Sequence, residues 1–183
     1  MGTDHRTERE RVVQLTWVPC CSPNDLTPTQ VDEIIQLFLQ ETEERYAEAS
    51  VRHLPIPVWG GNLKLIDADA PAPQPILGVM WATPFKDDIV RVAALVIASA
   101  YQGRGLGGTA WDRMNRTAWS NGFRHVQLEV KAANERAQRF YQARNLTIQQ
   151  RLEGYYQSGL GYMMRGRLAQ PEDTKHYSPR HQG

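Results

Sequence analysis

Cysteine is almost missing from this chain: there are two in 183 residues, and they are neighbours, Cys20 and Cys21. Adjacent thiols lack the C-x-x-C spacing of a metal or redox loop and cannot staple a small fold. No metal site and no disulfide framework are therefore expected, and both side chains should be ordinary thiols. Charge of one sign is missing too. Against 20 Asp and Glu stand 21 Lys and Arg, a formal net charge of +1 without a long basic block, so electrostatics gives no case for a nucleic-acid or membrane partner. No apolar run approaches the roughly 18 residues of a membrane-spanning helix, and the leading MGTDHRTERE has no apolar segment of a secretory signal. A cytoplasmic location is the expectation. Finally, no Lys-Ser or Lys-Thr pair closes a GxxxxGK[ST] loop, which excludes the phosphate loop of the nucleotide hydrolases.

What the chain does hold fits one folded domain. With 41% hydrophobic and 22% charged residues it has material for a single core, expected over residues 11–168, between a disordered start at 1–10 and a flexible tail at 169–183. Its organising stretch is IVRVAALVIASAYQGRGLGG, residues 89–108. The run from Val90 to Ala98 reads as a strand buried on both faces. Gly103, Gly105, Gly107 and Gly108 follow. Leu106, Ala110, Trp111, Met114 and Ala118 then recur at helical spacing up to an Asn121-Gly122 stop. A strand, a glycine-rich turn and a helix N-terminus bring backbone N–H groups and the positive end of a dipole to one place, which suits phosphate.

Two phosphate motifs fit these glycines. Gly103, Gly105 and Gly108 satisfy the dinucleotide fingerprint GxGxxG, with Glu129 about 20 residues on. The context differs from that fingerprint, because Ala98 to Gln102 separate strand from glycines and little chain follows Glu129. Gln102, Gly105 and Gly107 also satisfy Q/R-x-x-G-x-G/A, the acyl-CoA pyrophosphate loop. Through that loop this part of the chain resembles the GCN5-related N-acetyltransferase (GNAT) superfamily.

The other elements can be read in order. Residues 12–18 alternate through Val13, Leu15 and Trp17 as a first strand. Thr27 is the expected N-cap of a helix, with Pro28 first, Gln30 closing a capping box, and Leu26 and Val31 as a hydrophobic staple. Val31, Ile34, Ile35 and Phe38 make its buried stripe, up to about Glu44. Glu41, Glu43 and Glu44 crowd its end, where acids oppose the dipole. They read either as part of a longer helix reaching Ala49 or as an acidic lip toward a cationic substrate. HLPIPVWGG, residues 53–61, is too rich in Pro and Gly for regular structure, and Trp59 in it is expected to anchor packing. Residues 62–67 and 76–84 read as an antiparallel pair, and 124–131 as a strand parallel to the central one, because a strand-helix-strand crossover closes there. Asn134 caps a helix striped by Ala133, Ala137, Phe140 and Tyr141 that stops near Asn145. Two strands, 147–152 and 162–168, joined by EGYYQSGLG, complete the order β-α-β-β-β-α-β-α-β-β. The expected fold class is α/β: a single-domain, GNAT-like mixed sheet, mostly antiparallel, with a central parallel pair split to hold acyl-CoA and helices on its flanks.

Within the family, LEVKAANERAQRFYQ resembles the Rim-type protein N-terminal acetyltransferases, in which Leu-Glu-Val is followed by Asn and Tyr at fixed spacing. Glu129, Asn134 and Tyr141 match that pattern, and Tyr155, Tyr156 and Met164 match its YY…M pattern. Asn145-Leu146 replaces the usual Gly-Phe, a tolerable change since Asn also takes the left-handed conformation. No peptide-selecting motif stands out in the first helix or in residues 53–61. The resemblance implies that the N–H groups of Gln102, Gly103, Arg104, Gly105, Leu106, Gly107 and Gly108 hold the pyrophosphate of coenzyme A. It also implies that main chain at Val96 and Ile97 pairs with the pantetheine arm, that Asn134 steadies the arm, and that Tyr141 acts as general acid on the departing thiolate. Without the resemblance, Asn134 reads equally as a plain cap and Tyr141 as core.

The acid-base arithmetic accommodates these roles. An ordinary tyrosine at about 10 is roughly 2 kcal/mol uphill of a thiolate at about 8.5. An ordinary glutamate at about 4.3 taking a proton from an α-ammonium near 8 is roughly 5 kcal/mol uphill, so Glu129 as general base has to work through water; otherwise it is a carboxylate paired with backbone or an arginine. The expected function is an acetyl-CoA-dependent N-acetyltransferase, a monomer or homodimer without a metal, in which the amine attacks the thioester directly. Its acceptor is a peptide or protein N-terminal amine flanked by Tyr155 and Tyr156, or a small polycationic amine such as a polyamine or aminoglycoside met by Glu41 and Glu44. A silent CoA-binding module and a dinucleotide-binding protein are the readings from other classes.

Overall fold

The computed structural model describes residues 12–44, 51, 59–157 and 159–171. The expectations for the N-terminal ten residues, for a helix continuing to Ala49, for most of HLPIPVWGG and for the tail beyond 171 lie outside the described residues. The described elements are β1 (Leu15–Pro19), α1 (Pro28–Thr42), β2 (Leu63–Asp67), β3 (Gly78–Lys86), β4 (Ile89–Ile97), α2 (Leu106–Ser120), β5 (His125–Lys131), α3 (Glu135–Gln142), β6 (Thr147–Tyr156) and β7 (Gly159–Arg167). They follow the expected order. The seven strands form one sheet, β1-β2-β3-β4-β5-β7-β6, in which only β4 and β5 run parallel. That pair is joined through α2, the crossover a parallel connection requires.

Helix α1 starts as its sequence dictates. The Thr27 hydroxyl accepts from Gln30 N–H at 3.2 Å while the Gln30 side chain accepts from Thr27 N–H at 3.1 Å, so two otherwise orphan donors are satisfied reciprocally. Its buried stripe is Val31, Ile34, Leu37 and Phe38, with Leu37 taking the place expected for the half-buried Ile35. The helix ends at Thr42, because Glu43 adopts a left-handed φ of 60°. Trp59 is the packing anchor expected of it, its indole donating to Ala82 carbonyl at 2.8 Å in the core.

One irregularity organises the centre. Along β3 and β4, Trp81 pairs with Ala94 but Ala82 pairs with Val92, so Ala93 is an extra residue on β4. Such a bulge bends a strand and can end its pairing. Here β4 pairs with β5 over only four positions, ending at Val92 with Leu128, whereas its pairing with β3 runs on to Ile97 with Gly78. The two parallel strands therefore part beyond Val92. The continuous apolar run is not buried throughout: Ala93 is exposed, and Ala94, Leu95 and Ile97 are half-buried, because they border the opening. Two apolar clusters fill the faces of the sheet. One joins β-strand residues to Trp111, Met114 and Tyr141 from α2 and α3; the other packs Ile34 and Phe38 of α1 against Val79, Trp81 and Val96.

The last hairpin departs from its sequence reading. EGYYQSGLG, read as a loop, is largely strand: β6 reaches Tyr156 and β7 begins at Gly159. Its glycines punctuate the strand rather than end it, since Gly154, at φ 68°, sits in the pairing irregularity between Leu152 and Tyr156.

Candidate active site

The parting of β4 and β5 opens a cleft of two adjoining lobes, about 460 and 420 Å³. The larger lies between the end of α1, the run Ala93 to Val96 of β4 that β5 leaves unpaired, residues Leu128 to Lys131 of β5, and Tyr156. The smaller lies over the glycine loop and the start of α2, against Arg136, Ala137 and Phe140 of α3. Glu41, Leu95, Asn134, Ala137 and Tyr141 line both, so the lobes are continuous. Val96 faces the larger lobe and Ile97 the smaller.

The glycine loop leads into α2 as expected. Gly103 and Gly105 have φ of 74° and 76°, values that favour glycine. Gly105 is the N-cap of α2 and offers no side chain to the helix, so the first-turn N–H groups keep no cap and face the smaller lobe. An added Cβ at Gly107 would stand 3.5 Å from the Phe140 ring, and one at Gly108 3.1 Å from the Arg144 guanidinium. Helix α3 thus packs close against this turn. Gln102 does not face a ligand with its side chain. Its amide donates to Ile97 carbonyl at 2.7 Å and to Glu41 at 3.1 Å, and it accepts from Arg136 at 2.9 Å. The Ile97 carbonyl is thereby committed within the protein, which leaves the unpaired edge of β4 between Ala93 and Val96 as the open main chain. Arg104 folds back to Ala100 carbonyl at 3.1 Å and over the Tyr101 ring. An uncapped helix N-terminus, a glycine turn and an open strand edge in one cleft suit a phosphate attached to an amide-bearing arm.

Asn134 caps α3, its carbonyl accepting from Ala137 N–H at 3.0 Å, and stands exposed at the junction of the lobes. Cap and cleft roles are compatible because the cap uses only the side-chain oxygen, which leaves the amide nitrogen for other partners. Tyr141 is 8% exposed, its ring wedged between Trp111 and Phe140, at 5.7 and 5.3 Å between centroids. Burial pushes its hydroxyl up to about 12, with the nearby Arg144 guanidinium pulling the other way. It is therefore a proton-bearing donor at any working pH. Glu129 also lines the larger lobe, but both its oxygens are engaged by Arg91, at 2.9 and 3.3 Å from Nε and 2.7 Å from the terminal nitrogen. Arg91 further donates to the Tyr155 hydroxyl at 3.0 Å.

All three acids at the end of α1 line the larger lobe; Glu43 is exposed, whereas Glu41 and Glu44 reach it already engaged. Glu41 accepts from Ser99 N–H at 2.9 Å, from the Ser99 hydroxyl at 2.8 Å and from Gln102 at 3.1 Å. Glu44 pairs with Lys131 at 3.0 Å, with both side chains largely covered. Tyr155 is half-exposed and outside the lobes, while the Tyr156 ring faces the larger one, edge-on to Tyr155 and 5.8 Å from the Lys131 ammonium. Sequence reasoning missed Arg91, Ser99, Lys131 and Arg136. Only Lys131 carried a signal, as the next member of the alternating face that holds Gln127 and Glu129. The buried Cys20, whose thiol burial pushes up to about 11, lies among the α1-side core residues. No His, Cys, Asp or Glu group able to hold a metal is found among the described residues.

No curated protein matches the sequence. Its fold is shared with solved structures of low identity. Ard1 from Thermoplasma volcanium superposes with a TM-score of 0.71 at 18% identity, over 86% of this chain and 100% of that one. The ribosomal-protein-S18-alanine N-acetyltransferase from Escherichia coli gives 0.67 at 14%, over 93% and 99%. Naa50 of Arabidopsis thaliana, in complex with the bisubstrate analogue CoA-Ac-MVNAL, gives 0.65 at 16%, over 84% and 98%. A sequence model of the acetyltransferase (GNAT) family matches residues 31–146, a span from the first turn of α1 to the end of the α3 turn that takes in every element of the cleft except the last hairpin. The chain therefore belongs to the acetyltransferase (GNAT) family, and it is an acyltransferase.

Proposed function

We propose that this acyltransferase acetylates the α-amine of a peptide or protein N-terminus. The observation that carries the choice of acceptor is the state of two of the three acids at the cleft: Glu41 spends both oxygens on Ser99 and Gln102, and Glu44 is paired with Lys131, which leaves the exposed Glu43 alone to meet a cation. A polycation entering here would have to displace these partners and would meet the Lys131 ammonium. An α-amine, at about 7.7 to 8.0, is substantially neutral near pH 7, whereas a lysine amine at about 10.4 costs about 3 kcal/mol more to deprotonate. Two solved structures of the same fold, Naa50 and an Arabidopsis thaliana NAA60, carry bisubstrate analogues, and a NatC complex carries a Gag peptide with CoA, which lends the same reading support by likeness.

Acetyl-CoA supplies the activated acyl group. The main-chain N–H groups from Gln102 to Gly108 would hold its pyrophosphate and the open edge of β4 up to Val96 and Ile97 its amide-bearing arm, with the Asn134 amide at the junction of the lobes. Tyr141 then meets negative charge on the departing sulfur with its hydroxyl. The roughly 3.5 units between a tyrosine near 12 and a thiolate near 8.5 shrink inside the cleft, because the burial that raises one raises the other. Glu129, fixed by Arg91, acts as base through a water that passes the proton of the incoming amine to its carboxylate and from there to solvent, and Tyr155 and Tyr156 flank the extended acceptor chain. The test is release of coenzyme A thiol across peptides with free and blocked N-termini, polyamines, aminoglycosides and lysine amines, with CoA and nicotinamide dinucleotide binding measured alongside. Turnover confined to free N-termini is expected. Turnover on a polyamine or blocked peptide but on no free N-terminus overturns the acceptor, and binding of CoA with no thiol release on any amine makes the protein a silent binding module.

A further inference from the structure

Beyond Val92 and Leu128 nothing in the sheet itself joins β4 to β5, yet a donor cleft needs its two walls at one separation. Among the described residues, the last turn of α1 touches both walls. On the β4 side, the Glu41 carboxylate accepts from Ser99, just past the strand, and from Gln102 in the glycine loop. On the β5 side, the Lys131 ammonium at the end of the strand donates to the Thr42 carbonyl and pairs with Glu44 at 3.0 Å. The left-handed turn at Glu43 lies between Thr42 and Glu44, the two groups that hold Lys131, one residue past the pair Glu41 and Thr42 at which the two sides meet.

We propose that this turn is a clasp across the split sheet, which sets the width of the donor cleft, with Glu41 and Lys131 as positioning residues for acetyl-CoA. Gln102 transmits the Glu41 side. One amide holds the Ile97 carbonyl, the Glu41 carboxylate and the Arg136 guanidinium, so it ties β4, α1 and α3 to the loop that carries the phosphate-binding N–H groups. Lys131 transmits the other side, since only Ala132 and Ala133 separate it from Asn134, the cap of the helix that bears Tyr141. The three hydrogen bonds to Glu41 are charge-assisted, the kind strong enough to order a loop. The inference depends on acetyl-CoA as donor and not on the acceptor, so failure of the acceptor reading leaves it standing.

Binding of free CoA by calorimetry, with steady-state kinetics on whichever amine is turned over, tests the clasp. Glu41→Gln keeps an oxygen for Ser99 but turns an NH₂ toward the Gln102 amide nitrogen, donor against donor; Lys131→Met keeps the stem and removes the charge. Each is expected to raise the Kd for CoA and the KM for acetyl-CoA about ten- to thirtyfold, with kcat at saturating donor within about threefold and acceptor KM within about twofold. The double variant should be no more than about threefold worse than the weaker single one, because a clasp opened at either end is open. A CoA Kd within twofold of the parent in either single variant overturns the proposal, as does a double variant whose effects multiply. Should either variant fail to fold, Ser99→Ala removes one bond to Glu41 and is expected to weaken CoA about three- to fivefold; unchanged affinity there refutes the clasp equally.

Discussion

Tyr141→Phe separates the hydroxyl of Tyr141 from its ring. The ring is the part that packs, between Trp111 and Phe140, and phenylalanine keeps it. Thermal stability and CoA affinity should therefore hold, the latter within about twofold, since only one polar atom facing the cleft is lost. The rate should not. Positioned acid catalysis contributes about 10²- to 10⁴-fold, so kcat is expected to fall by that factor, about 3 to 5 kcal/mol of barrier. Two further readouts distinguish an acid from a packing residue. Because burial holds the hydroxyl near 12, the parent enzyme should keep its activity past pH 10, where an ordinary tyrosine would ionise, and lose it only on approach to 12. An acetyl thioester of a more acidic thiol, whose departure needs no proton, should be turned over by Tyr141→Phe almost as fast as by the parent. Single-turnover thiol release at saturating donor measures both. A variant within threefold of the parent, or one equally slow on the acidic-thiol ester, would remove Tyr141 from the chemistry.

Gly105→Ala puts a Cβ on a residue at φ 76°, at a cost of about 1 kcal/mol, and because that residue shapes the start of α2 it should weaken CoA more than it lowers the melting temperature, as calorimetry and thermal unfolding will show. Cys20 gives a signature at high pH: burial raises its folded pKa from 9.0 to about 11, so the folded state holds a proton that the unfolded state releases, and stability falls as pH rises from 9 toward 11. Denaturant midpoints at pH 8 to 11 should show that decline in the parent and a shallower one in Cys20→Ala; parallel slopes would refute it.

Much of the donor side could be read from sequence because local chemistry specifies it. Thr27 and Gln30 close their capping box within four residues, Gly105 supplies the conformation that opens α2, and Asn145 stands at φ 65°, as its substitution for glycine implies. What could not be read was long-range. The engagement of Glu41 depends on Ser99 and Gln102 some 60 positions away, and Arg91 reaches Glu129 across two strands whose register is set by the whole sheet. Acids massed at a helix end look like an open lip when their partners lie elsewhere in the chain. The bulge at Ala93 was equally silent, since an extra residue in an apolar run alters neither its composition nor its length noticeably. The last hairpin was misread for a different reason: Gly154 and Gly159 look like punctuation, but pairing with β7 and the strand preference of tyrosine outweigh them.

The open edge of β4 has a consequence for the lifetime of the protein. An unpaired strand edge on a surface invites other chains, but this one is the wall of a cleft, with β5 and the ends of two helices facing it, rather than the margin of the sheet. A donor held along it at a hundred times its Kd would add about 2.7 kcal/mol to the folded state. Against the roughly 5 to 15 kcal/mol that holds a typical domain together, that is a large share. A donor-bound copy would then resist unfolding, and proteolysis through the unfolded state, better than an empty one.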